Sequence, residues 1–331
     1  MRVLILSHRD VVAALPPQSC AEAMAAVLAA RARGETYHPL RTVMRAPEAA
    51  GLMGLMPSWR GAQGGRGAAF ALKAICIMPG NPARGLDAHQ GTVTLFDGET
   101  GEPTAILDAS AVTEIRTAAV TAVATGLLAR ADARTLAVLG AGVQGRAHLT
   151  ALAGLRDFEQ VRVYSPTRAH AEALAEAAAL PGAQVSAAAT AEDAVRGADV
   201  VVAATNSREP VLDRAWLMPG AHVNAVGAST PQAREIDTAT VAASALFCDS
   251  RESVRHEAGE FQLAIREGAI GGEEHIRAEI GEVLAGSAPG RLDDGELTLF
   301  RSLGIGVEDL AAAEVAVAAA REQGLGTEVE L

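Results

Sequence analysis

Residues 135–145, TLAVLGAGVQG, read as a buried strand that turns through Gly140, Gly142 and Gly145 into a helix. Glycines at this spacing permit a tight turn and let backbone N–H groups, including those of Val143 and Gln144, approach a pyrophosphate at the helix N-terminus. Alone, Gly-x-Gly-x-x-Gly is weak, because any strand-to-helix turn in a glycine-rich chain can carry it. Context strengthens it, since a second strand, VRVY, starts on schedule at residue 161.

Working outward, strand-like runs alternate with helical ones: a helix at 167–180, then AQVSAAA, EDAVRGA, DVVVAAT, HVNAVGAS and ALFCDS. Uncharged strands separated by helices imply βαβ units and a parallel sheet covered on both faces. Upstream, VTEIRTAAVTAVATGLLARADA reads as a long amphipathic helix. Residues 40–110 hold short apolar or β-branched segments punctuated by Gly, Pro and Asp-Gly, with FDGETGEPTAI as a hairpin. Residues 1–33 read as a strand and one Ala-rich helix capped by the Ser of SHRD. After TLFRSLGIGVEDL comes a last amphipathic helix, free to return to the N-terminal region, and the tail REQGLGTEVEL reads as a solvated terminus.

The expected class is α/β: a Rossmann-type parallel-sheet domain over 114–302, and an α+β domain from 1–113 and 303–331. Two domains suit 331 residues, as one domain usually takes ~100–200. With 49% hydrophobic but 3% aromatic residues, the core must be built of small aliphatic side chains. A net charge of −12 argues against nucleic acid or an anionic membrane as partner, so an anionic ligand needs a local cluster of cations. The three cysteines lie far apart, which fits a reducing cytoplasm, and no run reaches the ~18 apolar residues of a membrane span. The eight histidines show no metal-binding spacing, so no metal is expected.

Two clusters carry chemistry. The second strand ends in Tyr164-Ser165-Pro166-Thr167-Arg168 with no acid, whereas a carboxylate there would take a ribose diol and repel a 2′-phosphate. Ser165, Thr167 and Arg168 therefore favour NADPH, with NADH possible. Elsewhere Arg41, Lys73 and Arg116 stand as isolated cations, and Lys73 lies among apolar residues in FALKAICIM. An unpaired ammonium is costly to bury, so Lys73 needs an anion, from the protein or from a ligand.

From PGNPARGLDAHQGTVTLFDGETGEPTAILDASAVTEIRTAAV, through GAGVQG, to VNAVGASTPQAREID and TLFRSLGIGVEDLAAA, the chain resembles the ornithine cyclodeaminase/mu-crystallin family over almost its full length. The resemblance implies a homodimer, hydride transfer involving an imine or amino acid, and a substrate carboxylate held by Arg41, Lys73 and Arg116. It assigns substrate binding and dimerisation to the domain formed by 1–113 and 303–331. It also places Thr205, Asn206 and Val226 at the nicotinamide, while His89 could line the cofactor cleft. Cyclodeaminases carry an acid where this chain has Ser229, and another where it has Gly54. Those acids would engage a diamine, and the GASTPQAREID form is similar instead to the ketimine reductases and Δ1-pyrroline-2-carboxylate reductases of the family. Pro166 stands where NADP-dependent relatives often have Arg, and Arg168 can substitute for it.

The function expected is reduction of Δ1-pyrroline-2-carboxylate or Δ1-piperideine-2-carboxylate, with Lys73 or a water held by Ser229 protonating the imine nitrogen. The alternatives are an ornithine cyclodeaminase, an amino-acid dehydrogenase, or a non-catalytic NADPH-dependent binding protein.

Overall fold

The structure, a computed structural model, describes residues 1–178, 180 and 182–331. In chain order its elements begin with β1 (Arg2–Leu6), α1 (His8–Ala14), α2 (Pro17–Ala32), β2 (Thr36–Tyr37), β3 (Thr42–Met44), β4 (Leu52–Arg60), β5 (Ala69–Ile77), β6 (His89–Asp97), β7 (Pro103–Asp108) and α3 (Ala109–Leu128). There follow β8 (Thr135–Leu139), α4 (Val143–Leu152), β9 (Gln160–Tyr164), α5 (Arg168–Ala177), β10 (Gln184–Ala187), α6 (Ala191–Val195), β11 (Val200–Ala203) and β12 (His222–Ala225). The last are α7 (Thr238–Ala243), β13 (Ala245–Cys248), α8 (Arg251–Glu257), α9 (Gly259–Arg266), β14 (Ile276–Glu279), α10 (Ile280–Leu284), β15 (Thr298–Arg301), α11 (Gly306–Gln323) and β16 (Thr327–Glu330). Position 179 of the helix expected over 167–180 lies outside the described residues.

The chain forms two compact units, Met1–Arg116 with Gly304–Leu331, and Thr117–Leu303. The first is a sheet in the order β16-β1-β7-β6-β5-β4-β2, with β3 also on β4. The FDGETGEPTAI segment is the β6–β7 hairpin. β4 runs straight through Pro57, where the sequence suggests a stop. On one edge β4 pairs with β5 along its whole length; on the other, β3 takes Met53–Leu55 and β2 takes Trp59–Arg60. Pro57 falls in the gap between these two short partners, where no ladder bond requires its missing N–H. α11 packs in this unit, and its first turn approaches β4 so closely that a side chain at Gly306 would press on the Pro57 carbonyl oxygen at 2.9 Å.

Other local readings need correction. Pro16 and Pro17 break the expected N-terminal helix into α1, closed by a Ser7/Asp10 capping box, and α2, which starts at Pro17. The tail is not simply solvated: Thr327–Glu330 pairs antiparallel with β1 as an edge strand whose four residues are all exposed. α3 and α11 are not amphipathic. Eight consecutive residues of α11, Gly306–Ala313, are buried, and α3 buries Arg116 through Ala122 without a break. α3 is long and apolar enough to cross a membrane, but about two thirds of it is buried inside the protein, so its apolarity is that of a core helix.

The second unit is a fully parallel sheet in the order β10-β9-β8-β11-β12-β15-β13-β14. β11, VVVA, is completely buried, as a strand covered on both faces must be. β15, the TLFR run not read as a strand from sequence, inserts between β12 and β13. His222 and Asn224, both fully buried on β12, stay satisfied through Thr298 at 2.9 Å, through each other at 3.1 Å, and through Thr125 at 3.0 Å. Strand order reverses between β8 and β11, which opens the crevice where such sheets bind dinucleotides.

Candidate active site

In the second unit each glycine of the β8–α4 turn has a separate reason. Gly140 sits at φ +113°, in the region that favours glycine, and its N–H donates to the Tyr164 carbonyl at 2.9 Å. A Cβ at Gly145 would strike the Gly140 carbonyl oxygen, so this glycine lets helix and strand close up. A Cβ at Gly142 would meet nothing within 4 Å, so the backbone at the N-cap of α4 is open to a ligand. Close packing at 140 and 145 with open space at 142 is the shape a pyrophosphate cradle needs, and the residues present fit a dinucleotide.

At the end of β9, Ser165 accepts the Thr167 N–H at 3.3 Å. Thr167 occupies the N-cap position of α5, but its hydroxyl makes no capping bond. Arg168 lies on the helix surface, 2.7 Å from Glu172 one turn on. An exposed pair of this kind is worth about 0.5 kcal/mol or less, so an incoming phosphate competes with it easily. Thr205 and Asn206 follow β11, while Val226 and the exposed Ser229 follow β12, at the carboxyl ends of adjacent strands.

The first unit gathers the expected cations. Lys73 (β5) and Arg116 (α3) are 2% and 4% exposed, and half-buried Arg41 donates Nη2 to the Gly304 carbonyl at 2.9 Å. The anion that Lys73 requires is Asp309: Lys73 Nζ lies 2.8 Å from its Oδ1, and Arg116 Nε reaches the same oxygen at 3.0 Å. Arg116 Nη1 also donates to Glu308 Oε2 at 2.9 Å. Both acids stand in the first turn of α11, whose dipole favours negative charge. Sequence reading misses them; their signal was the GVEDL segment, in which two acids open an otherwise apolar helix.

Burial pushes the Lys73 ammonium down to about 8, against the opposing pull of Asp309. Burial alone would raise the Asp309 carboxyl, but Lys73 and Arg116 reverse this and hold it below its ordinary value. Lys73 thus holds a proton that it can release near neutral pH. His89 opens β6 in this unit, and desolvation with the positive charge of Lys73 holds its imidazole below the ordinary value. The Cys20 thiol, beside the same charges, is pushed up by burial to about 12, which removes it as a nucleophile. Gly304 closes the cluster at φ +75°, and a Cβ there would collide with the Arg116 guanidinium.

Comparison with known proteins shows the family. Residues 1–324 match the ornithine cyclodeaminase/mu-crystallin family. The chain is 37% identical over 282 residues to the ketimine reductase mu-crystallin of Mus musculus, covering 85% of each. It is 36% identical over 264 residues to a Δ1-pyrroline-2-carboxylate reductase of Bacillus cereus, covering 79% of this chain and 81% of that one. Among solved structures, Thermococcus litoralis Δ1-pyrroline-2-carboxylate reductase in complex with NADH and L-proline superposes with a TM-score of 0.94 at 34% identity, over 99% of this chain and 100% of the other. The chain belongs to the ornithine cyclodeaminase/mu-crystallin family.

Proposed function

We propose that this protein reduces a cyclic imino acid, Δ1-pyrroline-2-carboxylate or Δ1-piperideine-2-carboxylate, to L-proline or L-pipecolate. The observation that carries this reading is the buried group formed by Lys73 and Arg116 on Asp309, in a chain that also presents a dinucleotide cradle. Arg41 joins this group through the Gly304 carbonyl, so that three cations stand together where a substrate carboxylate would be held.

When bound, the reduced nicotinamide supplies the hydride that adds to the imine carbon. The chain's cations hold the carboxylate and so fix that carbon in place, where positioning contributes most of the rate. Lys73 is the proton donor: its Nζ gives one proton to the imine nitrogen, and hydride plus proton turn the imine into the amine. Asp309 keeps that proton on Lys73 until it is needed. Ser229 offers a hydroxyl instead of a carboxylate, so that position has no anion to engage the second amino group of a diamine.

NADPH is the proposed cofactor, supported by Ser165, Thr167 and Arg168 and by the lack of an acid at the end of β9; NADH serves as well. A homodimer is proposed from the family resemblance, and Val43, Met44 and Phe70 of the first unit expose about half their surface. None of the three cysteines is in a disulfide, in keeping with a reducing cytoplasm.

The test is NAD(P)H oxidation by the purified protein with five- and six-membered cyclic imino acids, with pyruvate plus methylamine, and with a dicarboxylic imine. Turnover of the cyclic monocarboxylates supports the reading. Release of ammonia from ornithine with NAD, without imine reduction, would replace it with cyclodeamination.

A further inference from the structure

One buried side chain joins the two loops that leave β11 and β12. Glu235 is completely buried. Its Oε1 accepts the Thr205 N–H at 2.5 Å, and its Oε2 accepts the Gly227 N–H at 2.5 Å and the Ala228 N–H at 3.2 Å. Its own carbonyl takes the N–H groups of Val211 and Leu212 at 2.8 and 3.2 Å. Both side-chain oxygens thus serve as acceptors, one for each loop. Burial raises the Glu235 carboxyl above its ordinary value, and the Thr205 and Gly227 hydrogen bonds and the Arg301 cation oppose that rise.

The loops meet too closely for a side chain. A Cβ at Gly227 would strike the Thr205 backbone and the Glu235 carboxylate. Below them, Arg301, 1% exposed, donates Nη1 to the Ala225 carbonyl at 2.7 Å and to the Ser302 carbonyl at 2.9 Å, so the end of β12 is fixed from a second direction. Strand order reverses at β8/β11, so the adenosine half of a dinucleotide lies towards β8 and β9, and the nicotinamide half towards β11 and β12.

We propose that Glu235 is a positioning residue for hydride transfer: by holding the Thr205 loop against the Gly227–Ser229 loop it sets the nicotinamide end of the site and leaves the adenosine end untouched. This deepens the reductase reading and rests on it for the identity of the reaction. A carboxylate is required because it can accept on both sides. A glutamine has one oxygen and one NH2, and that NH2 would face a backbone N–H on one of the two loops.

The experiment compares parent, Glu235→Gln and Glu235→Asp in the full-length protein. It measures the dissociation constants of NADPH and of 2′-phospho-ADP-ribose, the same molecule without nicotinamide, alongside kcat for imine reduction. Glu235→Gln is expected to bind the fragment within about twofold of the parent, while NADPH affinity or kcat falls about 10- to 100-fold, the scale of a small misplacement at a reacting centre. Glu235→Asp, which keeps two acceptors, is expected to recover part of that loss. Fragment and whole cofactor weakening in parallel, or an unchanged kcat with unchanged NADPH binding, would overturn the proposal.

Should Glu235→Gln fail to fold, Gly227→Ala pushes the same loops apart and is measured in the same way, with the same outcomes for and against. Cofactor binding is read without any imine. Failure of the parent to turn over imines would therefore strike the reductase reading alone.

Discussion

Lys73 Nζ and Asp309 Oδ1 lie 2.8 Å apart with both side chains 3% exposed or less, and they join the middle of β5 to the first turn of α11 across 236 residues of sequence. Removing one partner of such a pair leaves an uncompensated buried charge, which costs about 3–5 kcal/mol. Asp309→Asn is therefore expected to lower kcat/KM for the imino acid on the order of 100-fold, while dinucleotide binding by the second unit stays as it is. Steady-state kinetics with a cofactor titration check this; equal loss of cofactor affinity would count against it.

The pH dependence follows from Lys73, which burial brings to about 8. Its protonated form both attracts the carboxylate and donates the proton, so raising the pH through about 8 removes both functions. Reduction should fall on the basic side of that value, approaching about tenfold per pH unit. In Asp309→Asn the anion that favours the ammonium is gone, so the basic limb should move to lower pH. A limb that stays in place would show that Lys73 is not the titrating group.

Acid stability tests the second unit. His148 is fully buried, with Nδ1 donating to the Gln144 carbonyl at 2.7 Å and Nε2 accepting from the Thr121 hydroxyl at 3.0 Å. Burial lowers it to about 4, and lowers His222 to about 3. Both are depressed relative to the unfolded chain, so the unfolded state binds more protons below the ordinary histidine value of 6.5. Stability is present above that value and is lost as the pH falls towards about 4, at up to ~2.7 kcal/mol per pH unit for the two together. Urea midpoints between neutral pH and pH ~5 measure it, and His222→Gln should flatten the slope.

Gly304→Ala is expected to act on the substrate and not on the cofactor. At φ +75° an alanine costs about 1–2 kcal/mol, and its methyl would displace the Arg116 guanidinium. KM for the imino acid should rise about tenfold for a loss of ~1.4 kcal/mol, with NADPH binding unchanged. Unchanged KM would remove Arg116 from the substrate site.

Arg168→Ala separates the two cofactors. Its contact with Glu172 is exposed and weak, so the variant should fold normally and lose several-fold in NADPH affinity while NADH affinity holds. Equal effects on both would assign Arg168 to the helix surface alone.

How far these features were legible in the sequence depends on how local their physics is. Gly140, Gly142 and Gly145 are set by one turn of backbone, and the run of strands and helices after them announces a parallel sheet directly. The Lys73 anion was not legible, because Asp309 reaches it only through the return of α11. Glu235 was hidden for a similar reason: its oxygens are claimed by backbone N–H groups 7, 8 and 30 residues away, and a backbone acceptor leaves no mark on composition. Pro57 and the TEVE edge strand misled in the other direction. Local propensity argues against both, and sheet pairing overrides it.

The central claim is that three cations hold a substrate carboxylate while an imine is reduced. The most direct measurement is the ratio of kcat/KM for Δ1-piperideine-2-carboxylate to that for Δ1-piperideine, the same ring without the carboxylate, in parent and in Lys73→Ala. A site built around a buried charged group rejects a ligand lacking it by ~10⁴-fold, so a ratio of at least ~10³ is expected in the parent, collapsing in the variant. Equal rates for the two rings, or a ratio that survives Lys73→Ala, would contradict the account.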